Sequence, residues 1–309
     1  MLRPNHFGFN EATAGTNVFQ AKPPPLTSSE VHEKAVMEFE RFRRVLEEAG
    51  VTVIVFDDTE VPHTPDAIFP NNWFSTHQDG TLVLYPMEGQ NRRHERRDDI
   101  VRWLQETCGF HRILDLTSHE QEGRFLEGTG SMVIDRRHRT VYACRSSRTD
   151  ELLLREVAAS LDISAVVPFG ADVRTNEETG FEGLHPLYHT NVMMAIGEAT
   201  AVICTEAIRN RHERGEVMSS LWRTGLEVLE ITDGQLRRFA GNMLQLRNKQ
   251  AAPLWVMSTQ AFESLTPRQR VLLLADGSRI VHSPLDTIEL VGGGSARCML
   301  AEIFHPSLK

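Results

Sequence analysis

The sequence has no pair of cysteines at metal or redox spacing. Its four cysteines, Cys108, Cys144, Cys204 and Cys298, stand far apart, which argues against a zinc ribbon or a thioredoxin-like centre. It has no apolar run near the roughly 20 residues that cross a bilayer. Met1 to His6 carry no apolar stretch of the kind an export signal needs. These absences predict no membrane partner, and unpaired thiols without an export signal predict the reducing cytoplasm. A basic excess is missing too. The net charge is −9 over 309 residues, and the one basic run, Arg92 to Arg97, is broken by Glu95, so nucleic acid is a poor partner. No low-complexity linker divides the chain; Lys22-Pro23-Pro24-Pro25 is only a short extended stretch. What remains is ordinary globular composition, 40% apolar and 24% charged, with enough length for a large core and a small molecule as the expected partner.

Length alone fits either two domains or one large barrel- or propeller-like domain. A repeated pattern favours the second. Trp73 to Met87, Ser131 to Ser146, Asn191 to Thr205 and Asn242 to Ser258 each read as two short β-rich runs around a polar turn, the first turning at Asp79-Gly80. They begin roughly 50 to 60 residues apart, the spacing of blades or solenoid units. A last run, Cys298 to Phe304, is placed to pair near Phe7. Helical spacing marks Val31 to Ala49, which stops at Gly50, and also Asp98 to Cys108, Glu151 to Leu161 and Pro267 to Leu274. The unit is strand, hairpin and helix, repeated around an axis within a single domain over 1–309. A two-domain α/β enzyme is the alternative.

The residues leading into these hairpins are Asn72, Glu127, His189 with Asn191, Asn242 and Cys298. In a pseudo-symmetric ring, equivalent positions converge on the axis. A thiol, an imidazole, a carboxylate and several amides would then share one pocket, which are the parts needed for thiol catalysis. A lone cysteine is usually a small buried hydrophobe, and Cys108, Cys144 and Cys204 are read that way. Gly292-Gly293-Gly294 sets Cys298 apart, because glycine lets backbone approach a ligand closely. On a strand, Arg297 would face away from its neighbour's thiol. Taken singly, His189 reads as a structural histidine, Glu127 as a solvated turn residue and Trp73 as a core aromatic. His185 and His189 have the i, i+4 spacing of a helical metal pair, but Pro186 and a strand-like context oppose that, and no metal is expected.

In this order the motifs resemble the guanidine-modifying, or pentein, superfamily of arginine deiminases, dimethylarginine hydrolases and amidinotransferases. The nearest likeness is to the citrulline-utilisation hydrolase group. Gly292 to Met299, GGGSARCM, is similar to the deiminase nucleophile motif, and Leu126 to Ser131, LEGTGS, to their Glu-Gly-Gly motif. His189-Thr190-Asn191 resembles their His-x-Asp motif. Pro65 to Asn72 resembles the segment that supplies carboxylates to a guanidinium, which implies Asp66, Asn71 and Asn72 as head-group binders. Arg92-Arg93-His94-Glu95 and Ser147-Arg148-Thr149 resemble segments whose arginines hold the substrate α-carboxylate, here Arg93 and Arg148, with Arg92 in reserve. The resemblance implies a five-bladed α/β propeller of ββαβ units. It also implies catalysis by Cys298, His189 and Glu127, substrate contacts from Asn191 and Asn242 as well, and no cofactor.

The departures point to a substrate. Carboxylates that hold a guanidinium in the deiminases are replaced here by Asn72 and Asn191. An amide both donates and accepts, which suits a neutral ureido group, whereas a guanidinium is best held by carboxylates. The expectation is therefore a hydrolase that takes citrulline to ornithine, carbon dioxide and ammonia. Arginine deiminase, dimethylargininase or amidinotransferase chemistry are the alternatives on the same scaffold, and a non-catalytic binding protein is the alternative of another class. The polar segment around Asn5, His6 and Asn17 is a candidate cover for the site. A homo-oligomer is compatible with everything above.

Overall fold

A computed structural model of the chain describes residues 1–22, 25–175 and 183–304. Local chemistry sets the elements. Strand β1 (Leu2–Arg3) is followed by helix α1 (Ser28–Glu48), which opens on a capping box between Thr27 and Glu30 and buries Val31, Ala35, Phe39, Phe42 and Leu46 along one face. Strand β2 (Phe56–Asp57) returns to pair parallel with β1.

The chain then repeats one motif. Strands β3 (Phe74–Thr76) and β4 (Thr81–Leu84) form an antiparallel hairpin, helix α2 (Asp98–Glu106) crosses over, and β5 (Arg112–Asp115) pairs parallel with β4. After the short helix α3 (Gly128–Ser131), β6 (Val133–Asp135), β7 (Thr140–Cys144), α4 (Glu151–Ser160) and β8 (Ala165–Phe169) do the same. A separate antiparallel pair, β9 (Asp172–Thr175) with β10 (Gly183–Pro186), is interposed. The third copy is β11 (Met194–Ile196), β12 (Thr200–Ile203), α5 (Arg211–Arg223) and β13 (Glu227–Glu230). After α6 (Asp233–Arg237) comes the fourth, β14 (Leu244–Arg247), β15 (Pro253–Ser258), α7 (Thr259–Ser264), α8 (Pro267–Leu273) and β16 (Arg279–Ser283). Helix α9 (Asp286–Gly292) leads to Cys298. Among the described residues no helix is long and apolar enough to cross a membrane.

The last unit departs from expectation. Cys298 to Phe304 is not a strand; Cys298 lies in a turn, its N–H donating to Ser295 O at 2.9 Å. The segment is tied to β3 by a side chain instead of a ladder: Thr76 Oγ1 donates to Glu302 O at 2.7 Å, and Phe304 N donates to Thr76 Oγ1 at 2.9 Å. The parallel pair beside it is made by β1 and β2, with Leu2 opposite Phe56. Trp73 is wholly buried, as a core aromatic should be.

The turns that lead into the units touch one another in sequence. A side chain at Gly128 (φ +48°) would bring Cβ within 2.5 Å of Asn71 O, and one at Gly241 would come within 2.4 Å of Val192 O, so only glycine lets these turns close up. Gly130 packs against Asn72 and His189, Asn242 reaches Asn191 and Cys298, and Gly294 meets the Phe69 ring. The circuit runs from Phe69 back to Phe69. It gathers side chains from distant parts of the sequence in one place.

Candidate active site

At that meeting point Glu127 is fully buried at the mouth of α3, and its Oε2 accepts from His189 Nε2 at 2.8 Å. Arg148 NH1 lies 3.5 Å and Arg92 NH1 3.7 Å from the same oxygen. Burial pushes the carboxyl up, but Arg148, the hydrogen bond from His189 and Arg92 outweigh it and hold Glu127 well below the usual carboxylate range. Burial drives His189 the other way, down to about 4, against the pull of Glu127 and with help from the two guanidiniums. The imidazole is therefore neutral near pH 7. It donates Nε2–H to Glu127, which leaves Nδ1 as its basic nitrogen.

Cys298 is 3% exposed and shares with His189 a narrow cavity that is also lined by Asn17, Asp66, Asn72, Arg92 and Arg148. A larger cavity of about 240 Å³ lies by Met132, Arg136, Met194 and Met243 and contains none of Cys298, His189 or Glu127. The small cavity carries the thiol and imidazole, so chemistry and not size selects it. Asn72 is the informative member of its wall. Arg92 NH1 donates to Asn72 Oδ1 at 3.0 Å, while Asn72 Nδ2 is buried with no partner among the described residues. Asp66 Oδ2 accepts from Asn10 at 2.7 Å, and its Oδ1 is likewise unpartnered.

The family model described as N,N dimethylarginine dimethylhydrolase, eukaryotic, matches residues 3–305. The chain belongs to this family. It is thereby a member of the pentein superfamily, and solved structures share its mixed α/β fold. The N-terminal domain of ArgZ, covalently bound to a reaction intermediate, superposes with a TM-score of 0.72 at 18% identity, over 99% of this chain and 98% of that one. ArgZ is described as an arginine dihydrolase from the ornithine–ammonia cycle in cyanobacteria. Unliganded AgrE gives 0.70 at 17% identity, over 97% of this chain and 38% of AgrE. A dimethylarginine dimethylaminohydrolase adduct with S-methyl-L-thiocitrulline gives 0.61 at 13%, over 96% of each chain. No curated protein sequence matches.

In this dimethylarginine dimethylhydrolase family member, the residues expected at the site take four kinds of place. Cys298, His189, Asp66, Asn72 and Arg148 line the cavity, and Glu127 stands directly behind His189. Asn191 and Asn242 sit behind the sulfur instead, with Nδ2 atoms 3.6 Å and 3.3 Å from Cys298 Sγ, and neither lines the cavity. Asn71 is buried one step away, donating to Thr129 Oγ1 at 3.3 Å.

Arg93 lies apart from the others. It is partly exposed, donates to Met87 O at 3.1 Å and faces Glu120 at 3.5 Å, outside the cavity. Arg92, held in reserve from the sequence, is the arginine inside. Glu95 grips it with two bonds of 2.8 and 2.9 Å. Residues 91–95 form a 3₁₀ turn, which turns successive side chains by about 120° and sends Arg92 and Arg93 apart. Of the proposed cover, Asn17 reaches the cavity and donates to Gly292 O at 3.2 Å. His6 contacts Glu60 O at the surface instead, and Asn5 is on the same side, bonding Asp58. Tyr188 was missed by sequence reasoning; it lines the cavity and donates its hydroxyl to Gly293 O. Its place beside His189 was the available signal. His185 lies in strand β10, not on a helix. Arg297 does turn away from the thiol, but through the turn, donating to Leu300 O at 2.8 Å.

Proposed function

We propose that the chain is a cysteine-dependent hydrolase of the ureido group of citrulline, giving ornithine, carbon dioxide and ammonia. The observation that carries this reading is the polarity of Asn72. Arg92 occupies its oxygen, so the group left for a substrate is a donor, Nδ2. A guanidinium has only donors and would face it N–H to N–H, whereas a ureido oxygen accepts from it. The free Oδ1 of Asp66 suits the ureido N–H groups. Relatives that act on arginine support the broader class of guanidino and ureido chemistry. The five-bladed propeller, with the β1–β2 pair closing it and the whole chain as one domain, is the arrangement in which this site forms, and the cytoplasm is where it works.

In the mechanism, His189 takes the proton of Cys298, and the sulfur adds to the ureido carbon. His189 returns that proton to the departing nitrogen, so ornithine leaves and an S-carbamoyl enzyme remains. His189 then deprotonates water, which displaces the sulfur and releases carbamate, and this decays to carbon dioxide and ammonia. Glu127 holds the imidazole in the required tautomer and opposes its rotation. Arg148 pairs with the α-carboxylate, and Arg92 orients Asn72.

The deciding assay measures ornithine and ammonia from L-citrulline, with L-arginine in parallel. Ornithine from citrulline, lost at least about a thousandfold in Cys298→Ala, is the expected result. Citrulline released from arginine would overturn the reading and make Asp66 the dominant recognition group.

A further inference from the structure

A neutral ureido group brings no positive charge to the cysteine that attacks it, so the protein itself must favour the thiolate. Arg297, its neighbour in sequence, spends its guanidinium on Leu300 O and Glu302. What does point at the sulfur is a pair of amides. Asn242 Nδ2 lies 3.3 Å and Asn191 Nδ2 3.6 Å from Cys298 Sγ. The orientation of Asn242 is fixed from both ends: its Oδ1 accepts from Arg297 N at 3.1 Å, and its Nδ2 also donates to Asn191 O at 2.9 Å. The same Oδ1 lies 3.7 Å from Sγ, a longer contact that the neutral thiol makes as donor and the thiolate gives up. A flipped amide would lose both bonds. Its second N–H therefore has only the sulfur to go to.

We propose that Asn191 and Asn242, from the turns before β11 and β14, form a two-amide cradle that stabilises the Cys298 sulfur as it gives up its proton to His189. They are positioning residues for the nucleophile and not contacts for the substrate. The inference rests on Cys298 being the nucleophile. It extends that reading by assigning the activation to dipoles behind the sulfur, where two directed N–H groups favour the anion over the thiol. The ionisable groups that share the cavity with the sulfur are Asp66, Arg92, Arg148, Tyr188 and His189, and neither substitution below alters them.

The test is the rate at which iodoacetamide modifies Cys298 in the full chain, followed by peptide mass spectrometry from mildly acid to alkaline pH. It needs no substrate, so a failed citrulline assay and a failed cradle give separate signals. Asn191→Ala is the cleaner variant, because Nδ2 contacts only the sulfur and Oδ1 has no partner among the described residues. It should slow modification about threefold near neutral pH. Asn242→Ser should slow it about tenfold, since a bond to a charged partner is the stronger kind. In both, the pH profile moves to higher pH while the alkaline plateau stays at the wild-type rate. An unmoved profile in folded Asn191→Ala, or a fall in the plateau alone, overturns the proposal, because either would mean changed access and not changed thiolate. Circular dichroism of Asn242→Ser checks its fold; should it unfold, Asn191→Ala alone decides.

Discussion

Glu127 shows how much one side chain holds in place. Its carboxylate is the shared partner of His189, Arg148 and Arg92, all buried. Glu127→Gln would leave two guanidiniums without that charge, which should cost about 3–5 kcal/mol in urea unfolding, the size expected when one side of a buried pair is removed. A second outcome follows from His189. Because its pKa is pushed down to about 4, the imidazole stays neutral throughout the range where an ordinary histidine titrates. The acid limb of kcat/KM due to His189 should lie near pH 4, and a limb near 6.5 would mean that the imidazole is solvated during turnover. That Cys298, His189 and Glu127 would come together was legible because each stands at the entry to a repeated unit. The choice between Arg92 and Arg93 was not, since it depends on a 3₁₀ turn and on Glu95 reaching back three residues. Nor could the side of the sulfur taken by Asn191 and Asn242 be read, because adjacent turns fix it.

Among the elements, the hairpins and the first helices followed the sequence closely, and the reason is local. Asp79-Gly80 makes its turn with Gly80 at φ +81°, and α1 begins where Thr27 and Glu30 satisfy its free N–H groups. Thr27→Ala should cost about 1 kcal/mol in thermal or urea unfolding. Close approach between turns is less forgiving. Gly241→Ala would place a methyl group against the Val192 carbonyl, and a loss of about 1–3 kcal/mol is expected from overpacking. Helix α5 escaped notice because its buried face is thin, limited to Val217, Ser220 and Leu221. The final strand was wrongly expected because Cys298 to Phe304 is an apolar run broken only by Glu302, yet the hydroxyl of Thr76 takes up the backbone groups that a ladder would have used.

For the whole molecule, pH acts through groups far apart. Glu289, at 2% exposure beneath the Cys298 turn, accepts from Ser295 and Gln260, and burial raises it from 4.5 to about 7. A carboxyl raised by folding contributes stability below 4.5 that is lost as pH rises through about 7. His77, lowered to about 3, and His189 act in the opposite sense: their stability is present above 6.5 and lost as pH falls through their folded values. Glu289→Gln cannot titrate, so its stability relative to wild type should rise between pH 4.5 and 7, by up to about 3 kcal/mol. Tm measured across that range for both proteins checks the sign, and a flat difference would place the Glu289 carboxylate in contact with water.

The cavity wall takes residues from Asn17, near the start, to Cys298, near the end. Such a site has no partial form. During synthesis every other wall residue emerges before the thiol, so the wall can close only after Cys298 has been made. Contacts this distant in sequence also make for slow folding. Cys298 is almost fully covered in the folded chain, so its growing protection from alkylation on refolding times the closing of the wall.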